Sequence, residues 1–127
     1  MRDLEKRLEQ AWCKETSSDP NNWTAVNPAW GQCAVTSLVV NDYLGGRLIW
    51  ASASLPDGSE SSHYFNETAT GQIVDLTKRQ FPQGTIIPQG IDKKKQYDST
   101  REYVLSFEQT RNRYELLKEK ISGDAGI

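Results

Sequence analysis

A cysteine, a histidine and an aspartate follow one another in an order that suits covalent chemistry at a thiol. His63, the single histidine of the sequence, lies between Cys33 and Asp75. In such a set the thiolate attacks a carbonyl, the imidazole accepts and returns a proton, and the carboxylate orients the imidazole. These three residues are therefore our candidate catalytic set.

The surroundings of Cys33 favour a reactive thiol. Gly31 permits a tight turn before the cysteine, and the apolar run after it ends at the glycine pair 45–46. This pattern predicts a largely buried helix over residues 33–44. A cysteine that begins a helix lies beside unpaired N–H groups and the positive end of the helix dipole, which favour the thiolate and can bind an oxyanion.

His63 and Asp75 fall on the two arms of a predicted hairpin. Residues 47–53 predict a strand and residues 56–58 a turn, and the hairpin follows with arms at 62–67 and 72–76. The two residues face each other directly only if the loop has an odd number of residues, for instance 68–70 with Glu67 opposite Gly71. A carboxylate at that separation can hold one imidazole nitrogen while the other faces the thiol.

Helices are expected at both ends of the chain. Spacing of apolar residues predicts an amphipathic helix over residues 3–15, followed by a loop at 16–22. One helical turn is expected at 77–81, stopped by Pro82, and a capping box at Ser99 and Glu102 predicts a long C-terminal helix over about residues 99–121. Its buried stripe comprises Tyr103, Phe107, Thr110, Tyr114, Leu117 and Ile121, and its solvated face Arg101, Arg111 and Arg113.

The composition excludes several classes of protein. With 127 residues, we expect a single domain, 1–127. Two cysteines cannot form a disulfide framework, and one histidine cannot supply a multi-histidine metal site. A net charge of -2 disfavours nucleic acid as partner, and Lys93, Lys94 and Lys95 are expected to form a solvated loop. The charged N-terminus and the lack of a long apolar run predict no membrane partner and a cytoplasmic protein.

Each candidate residue also has a structural alternative. Cys33 is also compatible with a small buried side chain, His63 with a hydrogen-bonded strand residue, and Asp75 with the cap of the following turn. A metal site made of the three is a further alternative. Cys13 has no matching partner residues and is expected to be structural.

Short motifs carry a resemblance to two groups of proteins. The string around Cys33, residues 27–36 (NPAWGQCAVT), and the later strings 62–67 (SHYFNE) and 74–77 (VDLT) resemble the Cys, His and Asp motifs of transglutaminase-like proteins, within the wider papain-like group. Together with 42–46 (DYLGG) and Gln80-Phe81, the same motifs are similar to the YunG-like family of uncharacterised bacterial proteins. That similarity spans about residues 11–82, with a weaker echo at 113–117.

The resemblance implies a fold and an activity. It implies an α+β domain with a papain-like or transglutaminase-like core at about 11–82, in which a short antiparallel sheet packs on a central helix beginning at the cysteine, flanked by N- and C-terminal helices. The implied activity is a thiol-dependent acyl hydrolase or acyl transferase acting on a peptide, isopeptide or glutamine amide. The alternative is an inactive binding or regulatory protein that retains the fold.

Four further residues are candidates for the oxyanion hole or the acyl-binding surface. A papain-like glutamine is expected six positions before the cysteine, where Asn27 stands, and Ala34 replaces the aromatic residue usual in transglutaminases. The four candidates are Asn27, Gln32, Trp30 and Trp23. We expect no cofactor and no metal, and a peptide or small amide as substrate; the sequence does not indicate an oligomeric state.

Overall fold

Four helices surround a three-stranded antiparallel sheet in the part of the chain that the computed structural model describes, residues 2–93 and 95–123. The helices are α1 (Arg2–Ala11), α2 (Cys33–Leu44), α3 (Thr100–Leu105) and α4 (Glu108–Gly123), and the strands are β1 (Arg47–Ser54), β2 (Glu60–Glu67) and β3 (Ile73–Val74). Three single 3₁₀ turns lie at Lys14–Thr16, Pro20–Asn22 and Lys78–Gln80. The α+β class is confirmed, and the closer assignment to a papain-like core stays a prediction.

Helix α2 has the bounds and the burial that the sequence predicts. Its six residues 35–40 are all buried, because the helix packs against β2 on one side and α4 on another. The side-chain amide of Asn66 on β2 donates to the carbonyl oxygen of Ser37 at 3.0 Å and fixes the helix over the strand. Helix α2 is therefore the central element on which the sheet lies.

Strand β2 is the middle of the sheet, with β1 paired along its whole length and β3 along two residues. The loop to β3 has five residues, 68–72, so the three-residue loop taken as the example was wrong: Glu67 pairs with Ile73 and not with Gly71. The turn closes through the Thr68 N–H, which donates to the Gln72 carbonyl at 2.8 Å. On the outer side of β1, the later segment forms single bridges at Ile86 and Ile91.

The main hydrophobic core lies between α1, α2 and α4. Leu4 and Leu8 of α1 and Leu117 and Ile121 of α4 are buried there together with the apolar face of α2. A smaller cluster, made of Ile49, Ala51 and Phe65 with Ile87 against it, covers the other face of the sheet. The sheet is thus covered on both faces, and the expected packing of the C-terminal helix against the rest of the fold is confirmed.

Two predicted helices differ from the structure. Helix α1 stops at Ala11 and not near Glu15, because the backbone is extended at Cys13, whose N–H donates to the hydroxyl of Thr16 at 3.0 Å. The long C-terminal helix is broken between α3 and α4, and Phe107 at the break is 50% exposed. The break follows from packing, since α3 contacts β1 whereas α4 contacts α2 and α1.

Two of the three arginines expected on a solvated face, Arg101 and Arg113, are instead partly buried. Arg101 donates to the Leu38 carbonyl at 3.2 Å, to Asn41 at 2.9 Å and to Asp42 at 2.8 Å. Arg113 is partly buried, and Arg111 is exposed as predicted. Of the expected lysine loop, Lys93 lies over the Trp50 ring, with 4.0 Å from Nζ to the ring centroid, and Lys94 is outside the described residues.

Candidate functional site

Cys33 is the first residue of α2 and is partly exposed. The first hydrogen bond that closes a turn of the helix runs from the Thr36 N–H to the Gln32 carbonyl at 2.9 Å. The backbone N–H groups of residues 33–35 consequently have no acceptor within the helix, and they lie at the positive end of its dipole beside the thiol. This surrounding favours an anion at or next to the Cys33 sulfur.

The backbone before Cys33 is held in a turn that needs glycine. Gly31 has φ +74°, and a Cβ placed on it would lie 2.2 Å from the Ser17 Oγ and 3.0 Å from the Ser18 nitrogen. The Ser18 N–H donates to the Gly31 carbonyl at 2.9 Å. On the other side, the Gly31 N–H donates to the Oε1 of Gln80 at 3.2 Å. Both backbone polar groups of Gly31 are thus fixed, which fixes the entry to α2.

His63 and Asp75 form a direct buried pair. The His63 Nε2–H donates to Asp75 Oδ2 at 2.7 Å, with the His63 side chain fully buried and that of Asp75 12% exposed. Asp75 follows Val74, which pairs with Asn66, so the same register places Asp75 opposite Phe65. His63 is therefore a diagonal neighbour of Asp75 and does not face it directly. Diagonal neighbours about 7–8 Å apart remain within reach of side chains of this length.

The Cys33 thiol interacts with the same imidazole ring. Burial lowers the pKa of His63, but the hydrogen bond to Asp75 and the interaction with Cys33 together outweigh burial and raise that pKa to about 9. The ring therefore carries a proton near neutral pH. Its Nδ1 has no hydrogen bond of good geometry to any described residue, so this nitrogen is the one left for the thiol.

Two aromatic rings enclose His63. The Phe65 ring stacks on the imidazole at 5.7 Å between centroids, and the Phe81 ring meets it at 5.1 Å in an edge-on arrangement. Such contacts restrict the rotation of the imidazole and exclude water from it. The strand and the turn after Asp75 thus hold the ring between the acid and the thiol.

The four residues expected to bind substrate use their polar side-chain atoms to hold the loop before α2, three within that loop and Asn27 across to Gln80. Gln32 is fully buried, accepts from the Thr16 hydroxyl at 2.8 Å and donates to the Cys13 carbonyl at 2.9 Å. Asn27 donates to the Gln80 carbonyl at 2.9 Å. The indole N–H of Trp30 donates to Asp19 at 3.1 Å and that of Trp23 to the Pro28 carbonyl at 2.9 Å. The structure therefore unites Cys33, His63 and Asp75 and engages these four in shaping the loop.

Three residues near the candidate triad were missed by the sequence analysis as functional groups. Gln80 is buried and joins the turn after Asp75 to Gly31. Burial, with the charges of Tyr103 and Cys33, raises the pKa of Tyr64 to about 12, so its phenol stays protonated beside the site. Arg113 also lies within electrostatic range of Cys33. All three lie within the strings that carried the family resemblance, which is the only signal that could have pointed to them.

The described residues form neither a metal-binding group nor a membrane-spanning helix. They bring no three His, Cys, Asp or Glu side chains into a group that could hold a metal ion. Among residues 2–93 and 95–123, no helix combines the length and the apolar character needed to cross a bilayer.

Comparison with known proteins places the chain in a family. A family model described as YunG protein matches residues 1–126. The chain belongs to the YunG family. One member, named Uncharacterized protein YunG, from Bacillus subtilis (strain 168), is 36% identical over 74 residues, which are 58% of this chain and 56% of that protein. The match thus spans little more than half of that relative. No solved structure matches the chain.

Proposed function

We propose that this YunG-family protein is a thiol-dependent acyl hydrolase or acyl transferase that acts on an amide. The observation that carries the proposal is the buried His63–Asp75 pair, whose ring interacts with a cysteine at the N-terminus of a helix. A histidine that only fills space in the core requires neither a carboxylate at one ring nitrogen nor a partly exposed thiol beside the ring. Nucleophilic catalysis needs both.

Acylation begins with the Cys33 thiolate and the protonated His63. The sulfur attacks the carbonyl carbon of the amide, a C–S bond forms, and the carbonyl electrons move to the oxygen. The free backbone N–H groups at the start of α2 are the nearest helix donors for that oxyanion. His63 then gives its Nδ1 proton to the amide nitrogen, the C–N bond breaks, and the amine leaves a thioester on Cys33.

Deacylation returns the site to its first state. Water or an acceptor amine attacks the thioester carbon, and the now neutral His63 takes the proton that the attacking group loses. The C–S bond breaks and leaves the thiolate, so the products are an acid or a new amide. Asp75 holds the imidazole in the required tautomer throughout, because its carboxylate accepts from Nε2.

Selective alkylation tests the nucleophile, and Cys13 is its internal reference. Neutral iodoacetamide at pH 6, with each cysteine quantified by peptide mass spectrometry, should modify Cys33 at least about tenfold faster than Cys13, since a thiolate and not a thiol reacts. His63→Gln and Asp75→Asn should bring the Cys33 rate towards that of Cys13. Equal rates at the two cysteines in the unsubstituted protein would contradict the proposal.

A turnover assay separates an enzyme from a binding protein that retains the fold. Incubating the protein with a mixture of glutamine-containing peptides and hydroxylamine should give hydroxamates or hydrolysed amides. The Cys33→Ala protein should form neither product, whereas the Cys13→Ala protein should form them as the unsubstituted protein does. Mass spectrometry detects either product. A reactive Cys33 that forms neither product with any peptide would favour the inactive binding protein.

A further inference from the structure

An open cleft of about 550 Å³ lies between α4 and the loop that follows α1. Its charged lining groups are Lys14, Glu15 and Arg113, which give it one more positive than negative charge. Ser18, Gln109 and Asn112 add groups that can donate hydrogen bonds. The cleft thus has the chemistry of a site for a small anionic group.

Arg113 is the partly buried cation of this cleft, and no carboxylate of a described residue pairs with it. Its one hydrogen bond to a described residue runs from Nη2 to the Thr110 hydroxyl at 3.3 Å, and its buried Nε has no acceptor among the described residues. By contrast, Arg47, Arg79 and Arg101 each pair with a carboxylate. A partly buried guanidinium is costly unless an anion meets it, and its fork of N–H groups fits a carboxylate in two parallel bonds.

The cleft also adjoins the entry to α2. Ser17, one of its lining residues, donates from its hydroxyl to the Trp30 carbonyl at 2.8 Å, and Ser18 bonds to Gly31. Burial lowers the pKa of Arg113, and the nearby charge of Cys33 opposes this shift, so the two groups lie within electrostatic reach. A ligand held by Arg113 therefore lies beside the segment that leads into Cys33.

We propose that the cleft binds a carboxylate of the substrate through Arg113, so that the amide attacked by Cys33 carries a carboxylate a few bonds from its carbonyl. A peptide amide near a free C-terminus, or the side-chain amide of a free amino acid, has this arrangement. The inference rests on the proposed function, to which it adds the class of substrate. Lys14 and the hydroxyl group of Ser18 provide further contacts to the anionic end.

Two alkylating reagents that differ in charge test the proposal without a known substrate. Iodoacetate carries a carboxylate next to the reacting carbon, and iodoacetamide is its neutral counterpart with the same leaving group. The ratio of their second-order rates at Cys33, measured in the full chain at fixed pH and ionic strength, should exceed the ratio at Cys13. Arg113→Gln should lower the Cys33 ratio about tenfold, the scale of a lost charge-assisted hydrogen-bond pair.

Control variants make the result specific. Arg111→Gln removes an exposed charge two residues away on the same helix and should leave the ratio unchanged. Arg113→Lys keeps the charge but not the fork of N–H groups. Its ratio at Cys33 should therefore lie between the ratios of the unsubstituted protein and of Arg113→Gln. An Arg113→Gln protein with the original ratio, or with both rates lowered by one factor, would overturn the carboxylate site. Failure of the proposed function is seen separately, as slow modification of Cys33 by iodoacetamide in the unsubstituted protein.

Discussion

Gln80 accepts the backbone N–H of Gly31 on its Oε1 at 3.2 Å, and this bond joins the turn after Asp75 to the turn before Cys33. A second bond supports the first, since the Asn27 amide donates to the Gln80 carbonyl at 2.9 Å. The acid and the nucleophile lie on different elements, and these two bonds link the segments that carry them. Gln80 is accordingly a positioning residue and not a reacting one.

Gln80→Ala should slow the reaction of Cys33. The change removes the acceptor of the Gly31 N–H and leaves that group without a partner, so we expect the free energy of unfolding to fall by about 1–3 kcal/mol. The iodoacetamide rate at Cys33 should fall as well, because the N-terminus of α2 loses its alignment with His63. Gln83→Ala, at an exposed position three residues later, is the control. If Gln80→Ala destabilises the protein but leaves the alkylation rate of Cys33 unchanged, Gln80 contributes to stability and does not position Cys33.

Gly31→Ala should be the more damaging of two glycine substitutions. Alanine at Gly31 combines a positive φ with a clash against Ser17, and we expect a loss of about 3 kcal/mol or more in the free energy of unfolding. Gly58→Ala is the matched comparison, because Gly58 has φ +89° but open space around its Cβ position, and should lose about 1 kcal/mol. Urea unfolding measures both. Equal losses of unfolding free energy in the two variants would contradict this prediction, because they would show that Ser17 moves away from the added methyl group.

The His63–Asp75 pair predicts that stability falls as the pH rises. The pKa of His63 is raised from 6.5 to about 9, because burial lowers it but the hydrogen bond to Asp75 and the interaction with Cys33 raise it more. Below pH 6.5 the folded and the unfolded state both bind the proton, so the stabilisation is fully present, and it is lost as the pH rises through about 9. This shift corresponds to about 3 kcal/mol.

Urea unfolding between pH 6 and pH 9.5 measures this dependence. Since the sequence holds one histidine, the difference between the unsubstituted protein and His63→Gln isolates the titration of this ring. Asp75→Asn should reduce the pH dependence, because the anionic acceptor of the Nε2–H is gone. A difference curve that stays flat or rises across this range contradicts the assignment of a raised pKa.

Arg101→Met should destabilise the fold, because the Arg101 side chain is partly buried between two helices. The guanidinium joins α3 to the end of α2 through Leu38, Asn41 and Asp42, and methionine keeps only the apolar stem. We expect a loss of about 2 kcal/mol. Arg111→Met, which removes an exposed guanidinium bonded to one carbonyl, should lose less than about 1 kcal/mol. Similar losses in thermal or urea unfolding would refute the role of Arg101.

Local patterns predicted the elements better than their junctions. The glycine pair after residue 44 and the apolar run before it specify α2, and its bounds agree with the structure. The break before Glu108 was not predictable from spacing, because the pattern of apolar residues continues through Phe107. The break is set by contacts with distant elements, since α3 lies against β1 and α4 against α2.

The candidate site shows the same division. Residue types and order were enough to select Cys33, His63 and Asp75, and the structure brings these three together. The surrounding groups were not accessible to that reasoning: a helical arginine such as Arg113 is expected in solvent, and nothing in its local pattern indicates that the chain before α2 passes beside it. Only the tertiary arrangement shows that Gln80 bonds to Gly31.

The two bridges on the outer side of β1 cover one edge of the sheet. Ile86 and Ile91 each pair with β1, at Ser54 and Trp50, so backbone groups that would be free on an outermost strand are already occupied. The β1 border is therefore not a free, flat template for edge-to-edge stacking of chains. Shortening the segment that carries Ile86 and Ile91 should therefore promote aggregation before it impairs chemistry at Cys33.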